Sequence, residues 1–273
     1  DVYKRQYENN WSASKEIKEQ IQKKLNCKLM RINSSLVSAQ KRDRFYVFNW
    51  NVEQPNDKGI LLKDILETGE AWQEKSYCIT ATEYKGSNPK QTIQKHRRTM
   101  IAEPIRIGTI ENNAKNQTVN DSKQYRVYSP NGKSVTLCGQ GGGVGAKTGL
   151  YAVPTITHMV FDKPIYTVCD GKININGELY PIQLKDGQYI IRKLTPLECE
   201  RLQTLPDGYT NCVSNTQRYK GLGNGWTADV IIHILQGILK DVPKNEKIVV
   251  LSMYDGIGTG RYCLDKMGFT NIE

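Results

Sequence analysis

The chain has 273 residues, of which 38% are hydrophobic, and this is enough for one large domain or two small ones. Its formal net charge is +10 and its pI is about 9.1, which favours a polyanionic partner, nucleic acid first; a generally basic soluble protein is an equal alternative from charge alone. The apolar runs are too short to span a bilayer, and seven scattered cysteines without a CxxC pair or zinc spacing indicate reduced cytosolic thiols.

Hydrophobic spacing and turn residues predict that the first half of the chain contains both helices and strands. Ser12 or Ser14 is the expected N-cap of the first helix. Residues 70–135 are polar and basic, with few apolar clusters, and are expected to be loop-rich. The predicted elements are a helix over 14–25, a strand over 44–52 and a short helix over 60–67.

The second half has stronger local signals. A glycine-rich loop occupies 139–149, and the DGK, NGE and KDGQ turns within 164–194 predict a small antiparallel meander. The remaining predicted elements are a helix over 195–205 capped by Thr195, an apolar helix over 225–242, a buried parallel-type strand "IVVLSM" (248–253) and a helix beginning near Gly260.

Four short strings occur together along this chain: "YENN" (7–10), "SAQKRDRFYVFN" (38–49), "RKLTPLECERLQTLPDGY" (192–209) with "YKGLGNGWTADVI" (219–231), and "LSMYDGIGTGRYCLDKMGF" (251–269). Together they resemble the DNA cytosine-5 methyltransferase family, especially its phage and bacterial members. The resemblance covers most of the chain and is weakest over 70–135. It implies an α/β fold, part of a Rossmann-like S-adenosylmethionine-dependent methyltransferase domain, with a smaller, mainly β target-recognition domain.

The family's reaction explains the residue types in the first two strings. A cytosine is flipped out of double-stranded DNA, a cysteine thiolate attacks C6, and C5 takes a methyl group from S-adenosylmethionine. The resemblance places Glu8 at N3, Arg44 at the base, and Arg42 and Gln40 beside it, because alternate residues of an extended segment share a face. The alternatives are a surface glutamate near a helix start and a solvated basic strand end.

The resemblance also implies a cofactor site for S-adenosylmethionine. The glycine spacing alone would indicate only a strand-to-helix turn, and it is not the full dinucleotide pattern. The family more often has Ser at the Gly225 position, which puts a side-chain contact there in doubt. The implied cofactor-binding residues are Tyr254, Asp255, Gly256, Gly258, Gly260, Asn224 and Gly225.

The loop "GQGGGVGAKTG" lacks the Walker order of Gly, Lys and Ser/Thr. It is expected to be a DNA-facing recognition loop, with a plain surface loop as the alternative. The expected DNA-binding residues are Lys133, Gly142, Gly143, Lys147 and Thr148. Residues Arg192, Thr195, Glu198, Arg201 and Gln203 match a family element that is expected to be scaffold.

No cysteine follows a proline, although the family's nucleophile sits in a Pro-Cys pair upstream of the glutamate string. The expected organisation is the end of a catalytic domain (1–50), a target-recognition domain (51–190) and a return to the catalytic domain with the cofactor strand (191–273). The leading interpretation is a methyltransferase fragment that is permuted, fused or truncated, inactive alone, and located in the cytoplasm of a prokaryotic or phage-infected cell. A non-catalytic DNA-binding module, and a subunit completed by a second chain or segment carrying Pro-Cys, are the alternatives.

Overall fold

The computed structural model describes residues 3–85, 89–104, 106–109, 126–128, 150–151 and 164–273. It is an α/β structure, as predicted. The helices are α1 (Lys15–Leu25), α2 (Leu62–Ile65), α3 (Pro89–Lys95), α4 (Pro196–Leu202), α5 (Asn215–Asn224), α6 (Ala228–Leu239) and α7 (Thr259–Lys266). The strands are β1 (Gln6–Asn10), β2 (Lys28–Asn33), β3 (Gln40–Lys41), β4 (Asp43–Phe48), β5 (Ser76–Tyr77), β6 (Met100–Pro104), β7 (Arg106–Thr109), β8 (Arg126–Tyr128), β9 (Leu150–Tyr151), β10 (Ile165–Cys169), β11 (Lys172–Ile175), β12 (Glu178–Pro181) and β13 (Gly187–Lys193).

Capping residues set the starts of two helices as the sequence predicts. Ser14 accepts a hydrogen bond from the backbone N–H of Ile17 at the start of α1. Thr195 caps α4 in a capping box with Glu198, and Pro196 follows at the first turn. Each cap satisfies backbone donors that would otherwise have no partner in the first turn.

A three-stranded antiparallel sheet in the order β1-β4-β2 carries the first functional strings. Strand β4 lies in its centre, and four of its residues are buried (Phe45, Tyr46, Val47, Phe48). Helix α6 packs nearby, and the indole N–H of Trp50, just after β4, donates to the Ile234 carbonyl at 2.9 Å. The strand β4 and α6 therefore belong to one core, which also includes Leu62 and Ile79.

A five-stranded antiparallel sheet in the order β12-β11-β10-β13-β6 contains the predicted meander. It builds a second hydrophobic cluster around Ile173, Val168 and Tyr189. Strand β6 pairs with β13, and helix α3 precedes it. The expectation that 70–135 is loop-rich therefore missed α3 and β6, whose pairing partner lies far along the chain. The domain boundaries drawn from the sequence stay a prediction.

The predicted buried strand over 248–253 is not buried. Its backbone makes a parallel bridge from Ile248 to Ile272, and the Val250 N–H donates to the Glu273 carbonyl at 2.8 Å. Yet Leu251 is 85% and Met253 66% exposed. A parallel strand is buried only when neighbours cover its edges and faces, and the described residues provide a neighbour on one edge. Among the described residues, no helix has the length and apolarity needed to cross a membrane.

Candidate active site

Glu8 and Arg44 form an ion pair across two neighbouring strands. Glu8 lies on β1 opposite Tyr46 of β4, and Arg44 lies two residues earlier on β4. The Arg44 Nε lies 2.8 Å from the Glu8 Oε1, and the two side chains are 14% and 15% exposed. Burial, and then the charge of Glu8, raises the pKa of Tyr46, so its hydroxyl stays protonated. The pair thus presents a fixed carboxylate and a fixed guanidinium at the edge of the core.

Arg42 is buried and braces the turn at the end of α5. Its Nη2 donates to the Gly225 carbonyl at 2.8 Å, and both Nη atoms lie 3.3 Å from the Gly223 carbonyl oxygen. Its Nη1 also donates to the Ile79 carbonyl at 3.3 Å. Burial, and then the charge of Arg44, lowers the pKa of Arg42. Because the carbonyls at a helix C-terminus carry partial negative charge, they compensate this buried cation.

Gln40 lies in the interior, and both ends of its amide are used. Its Oε1 accepts the Ile79 N–H at 2.8 Å, and its Nε2 lies 3.4 Å from the Oε1 of Gln203. Gln203 in turn donates to the Leu222 carbonyl at 2.6 Å and accepts from Thr227 at 2.9 Å. Gln40 and Gln203 therefore hold the segment around Ile79 and the two ends of the α5–α6 connection in one buried polar network.

Arg192 links β13 to the start of α4. Its two Nη atoms donate to the carboxylate of Glu198 at 2.8 and 2.9 Å, and its Nε donates to Glu103 on β6 at 2.6 Å. Burial alone would lower the pKa of Arg192, but the hydrogen bonds to Glu198 and Glu103 raise it. Glu198 also accepts from the Thr195 N–H. These contacts are structural, in agreement with the scaffold expected from the sequence.

The glycine turn before α7 takes left-handed backbone conformations at several positions. Tyr254, Gly256 and Gly258 have φ of 60°, 63° and 74°. Tyr254 is 98% exposed. The Asp255 carboxylate accepts the Gly260 N–H at 2.8 Å, which satisfies one donor in the first turn of α7. No atom lies within 4 Å of a Cβ placed at Gly256, so the backbone there is open to a ligand.

The structure brings the two predicted cofactor elements together. A Cβ placed at Gly225 would lie 3.4 Å from the Ile257 Cδ1, and one at Gly221 would lie 2.5 Å from the Ile257 Cγ2. The Tyr209 hydroxyl donates to the Ile257 carbonyl at 2.9 Å. Asn224, one residue before Gly225, is exposed. The turn around Ile257 therefore packs directly on the end of α5, where Arg42 binds from the other direction.

An S-adenosylmethionine site at this turn is compatible with the residues present. Thr259, at the start of α7, is 1% exposed, and its Oγ1 has no hydrogen-bond partner among the described residues. A buried hydroxyl without a partner is costly, and a polar ligand group removes that cost. The open backbone at Gly256 and the N–H groups of the first helical turn would accommodate the methionine part of the cofactor.

Sequence patterns did not reveal Cys78 as a neighbour of this site. Its Sγ lies 3.3 Å from the Nη1 of Arg42 and 3.8 Å from the Nη2 of Arg44. No sequence signal marked it, because its position depends on the parallel pairing of β5 with β3. The expected DNA-binding residues (Lys133, Gly142, Gly143, Lys147 and Thr148) lie outside the described residues.

Buried hydrogen bonds thus connect the segment that carries Arg42 to the end of α5, and Arg44, two residues later, pairs with Glu8. The sequence matches the C-5 cytosine-specific DNA methylase family over residues 21–240, and the chain belongs to that family. The matched range includes Arg44 and Gly225, whereas Glu8 and the turn around Gly256 lie outside it.

The relatives include bacterial and phage methyltransferases. The chain is 25% identical over 217 residues to type II methyltransferase M.HhaI of Haemophilus parahaemolyticus, an alignment that covers 74% of this chain and 48% of the relative. It is 27% identical over 217 residues to the orphan methyltransferase M.SPBetaI of Bacillus phage SPbeta, covering 70% and 44%. The chain thus spans about half the length of these relatives. A solved structure of the Entamoeba histolytica methyltransferase EhMeth aligns with a TM-score of 0.37 and 13% identity, covering 88% of this chain and 63% of that one.

Proposed function

We propose that this chain supplies the base-binding and cofactor-binding parts of a DNA cytosine-5 methyltransferase, with double-stranded DNA as substrate and S-adenosylmethionine as methyl donor. The observation that carries the proposal is the Glu8–Arg44 pair at 2.8 Å, held at the edge of the core by strands β1 and β4. Family membership supports the reaction class.

The chemistry requires an acid and a cation on the Watson–Crick edge of the flipped cytosine. Attack of a thiolate at C6 pushes negative charge onto N3, and Glu8 delivers a proton or a strong hydrogen bond there. Arg44 donates to O2 and keeps the Glu8 carboxylate oriented. Arg42 does not reach the base in this arrangement, because its donors go to the Gly223, Gly225 and Ile79 carbonyls. Its role is to position the turn that follows α5.

S-adenosylmethionine supplies the methyl group when bound. On this chain, the backbone at Gly256 and Gly258, the first turn of α7 and the hydroxyl of Thr259 would hold its methionine part. Tyr254 is exposed and free to close over the ligand. The contact of Ile257 with Gly221 and Gly225 fixes the turn relative to α5.

The nucleophile comes from a segment or chain carrying the Pro-Cys pair, since no cysteine here follows a proline. The surface that would receive such a segment is the edge formed by residues 249–254. Four of its apolar side chains are largely exposed: Val249 at 72%, Leu251 at 85%, Met253 at 66% and Tyr254 at 98%. An exposed apolar segment whose backbone pairs on one side only, among the described residues, is a template for pairing with a strand.

A methylation assay tests the proposal. The purified chain is incubated with a duplex library containing cytosine in all sequence contexts and with labelled S-adenosylmethionine, both alone and with a polypeptide that carries the Pro-Cys half of the family fold. We expect no transfer by the chain alone and transfer to cytosine C5 in the combined reaction. Transfer at enzymatic rates by the chain alone would show that the nucleophile has been assigned wrongly.

Glu8→Gln in the combined reaction tests the role of the acid. The substitution keeps the shape of the side chain and removes the proton donor, so the single-turnover rate should fall about 10²- to 10⁴-fold with little change in DNA affinity. Glu19→Gln is the matched control, because Glu19 is a surface residue of α1. Equal rates for Glu8→Gln and Glu19→Gln would remove Glu8 from the active site.

DNA binding itself is expected to depend steeply on salt, because lysine and arginine side chains that neutralise phosphates release counterions. The +10 charge and the basic run at Lys95, Arg97 and Arg98 support this expectation. Salt-dependent binding without methylation in the combined reaction would favour the alternative, a DNA-binding module without catalysis. An affinity that stays flat between about 50 and 200 mM salt would contradict phosphate-dominated binding.

A further inference from the structure

An open cleft lies between α3 and the five-stranded sheet. Its volume is about 380 Å³, within the range of small-ligand sites. Its walls combine aromatic rings with apolar side chains: Trp72, Tyr77, Ile93, His96 and Ile182. A flat aromatic group is the ligand class that such walls accommodate best.

Two of the rings, those of Tyr77 and His96, are held in place by a hydrogen bond to each other and by the backbone at the end of α3. The Tyr77 hydroxyl and the His96 Nδ1 are 3.0 Å apart, and the ring centroids are separated by 6.0 Å. His96 has a φ of 50° directly after α3, and its N–H donates to the Thr92 carbonyl at 3.0 Å. The backbone therefore fixes the direction of the imidazole, and the hydrogen bond fixes the phenol relative to it.

The cleft is adjacent to the Glu8–Arg44 site along one short segment. Tyr77 lines the cleft, and the next residue, Cys78, contacts the guanidinium groups of Arg42 and Arg44 at 3.3 and 3.8 Å. Consecutive residues of an extended segment point to opposite faces and have Cα atoms about 3.8 Å apart. The cleft and the Glu8–Arg44 site therefore lie close together on opposite sides of this segment.

Charge gives the cleft a direction. At the end near His96, Lys95 and Arg97 are exposed cations. At the other end of the cleft, the exposed carboxylate of Asp186 lies 3.5 Å from the backbone nitrogen of Gly171, a residue that lines the cleft. A ligand with a phosphate would place the phosphate on the His96 side and its ring between the aromatic walls.

We propose that this cleft binds an unpaired nucleobase of DNA, stacked on Tyr77 with its phosphate on the His96 side. The site is distinct from the Glu8–Arg44 site, and it would hold a base displaced from the duplex next to the target cytosine. Stacking on aromatic side chains tolerates any base, so the cleft contributes affinity for distorted DNA and not sequence readout.

The test compares two fluorescently labelled duplexes of equal length and charge, one fully paired and one with a single unpaired nucleotide, by anisotropy with the full chain. We expect the duplex with the unpaired nucleotide to bind more tightly, and Tyr77→Leu and His96→Asn to abolish that preference. His96→Asn is chosen because asparagine tolerates a positive φ. The loss for the unpaired duplex should be about 5- to 150-fold, the range of one base–aromatic stack.

Controls separate this site from the methylation site and from general destabilisation. Tyr166→Leu removes a partly buried ring that packs on the hydrophobic cluster of the five-stranded sheet. This variant should still bind the duplex with the unpaired nucleotide more tightly than the fully paired duplex. Equal affinity of the parent chain for the two duplexes would overturn the inference. It would also be overturned if Arg44→Ala alone lost the preference while Tyr77→Leu kept it, because the unpaired base would then occupy the Glu8–Arg44 site. None of these outcomes depends on methylation, so the proposed activity and the cleft can fail separately.

Discussion

The substitution Arg42→Lys should destabilise the protein far more than its conservative chemistry implies. The guanidinium of Arg42 divides its donors among three backbone carbonyls, those of Ile79, Gly223 and Gly225. A buried lysine ammonium can reach only one of these three carbonyls, because it lacks the several fixed donors of the planar guanidinium. Gly225 keeps a second donor from Gln203 at 3.2 Å, so one or two carbonyls lose their principal partner.

The magnitude follows from the cost of buried acceptors without partners. Each costs about 1–3 kcal/mol, so the loss of one or two should lower the free energy of unfolding by about 1–6 kcal/mol. The assay is urea unfolding at neutral pH, followed by tryptophan fluorescence, since Trp226 adjoins the turn that Arg42 holds.

Arg31→Lys is the matched control. Arg31 makes a two-pronged ion pair with Asp43, but its side chain is 54% exposed, and exposed pairs contribute about 1 kcal/mol or less. If Arg42→Lys costs no more than Arg31→Lys, the carbonyl contacts of Arg42 do not stabilise the end of α5, and the positioning role assigned to it is wrong.

Two further predictions concern the elements packed around this turn. Gly223→Ala should destabilise by about 1–3 kcal/mol or prevent folding, because its Cβ would lie 2.1 Å from the backbone carbon of Thr80; thermal unfolding measures the loss. Asp229 is part of the first turn of α6 and pairs with Lys58 at 2.7 Å and Lys266 at 2.8 Å. Burial acts to raise the pKa of Asp229, but the hydrogen bonds from Lys266 and Lys58 outweigh it and lower the pKa. The stability from ionised Asp229 is therefore present above the unfolded pKa of about 3.9 and lost as the pH falls through the lower folded pKa. Asp229→Asn should lower the melting temperature at pH 7 and have little effect near pH 2; equal effects at both pH values would exclude the ion pairs as the cause.

Local signals in the sequence predicted those elements whose structure depends on neighbouring residues. Ser14 and Thr195 were recognisable as caps, because their hydrogen bonds close within three residues. The meander over 164–194 was recognisable because its turns are short and contain the residues that such turns require. The pattern was sufficient in these segments without knowledge of distant contacts.

Distant contacts decided what the sequence could not predict. Strand β6 forms by pairing with β13, about ninety residues later, and its own sequence has no alternation strong enough to show it. The segment "IVVLSM" has the composition of a buried strand, but burial depends on neighbours, and within the described residues it makes only an isolated parallel bridge from Ile248 to Ile272. The composition of this segment therefore did not predict that its side chains are exposed.

The same difference between local signals and distant contacts applies to single side chains in the candidate site. The Gln-x-Arg-x-Arg pattern alone placed Gln40, Arg42 and Arg44 on one face, and it was the family resemblance that assigned Arg44 to the base and Arg42 to a supporting role. The structure distinguishes the three: Arg44 pairs with Glu8, whereas Gln40 and Arg42 are buried against backbone groups. A pattern of alternate residues specifies a shared side of the chain, and only the packed partners specify what each side chain binds.

The end of α5 is the point at which the two halves of the proposed reaction meet. Arg42, which lies between β3 and β4, donates to the carbonyls of Gly223 and Gly225, and β4 carries Arg44, the residue that we propose contacts the base. Ile257 of the cofactor turn packs against Gly221 and Gly225 of the same helix end. Methyl transfer requires the base and the methyl donor to be held within about 3–3.5 Å of each other, and a displacement of about 1 Å far from the chemistry costs about 100-fold in rate. The end of α5 contributes only backbone carbonyls and glycines to both contacts, and this limits such displacement. In "GLGNG", Gly221 and Gly225 leave room for the close approach of Ile257, and Gly223 leaves room for the backbone of Thr80 and Ala81, which explains why the segment has small residues at these positions.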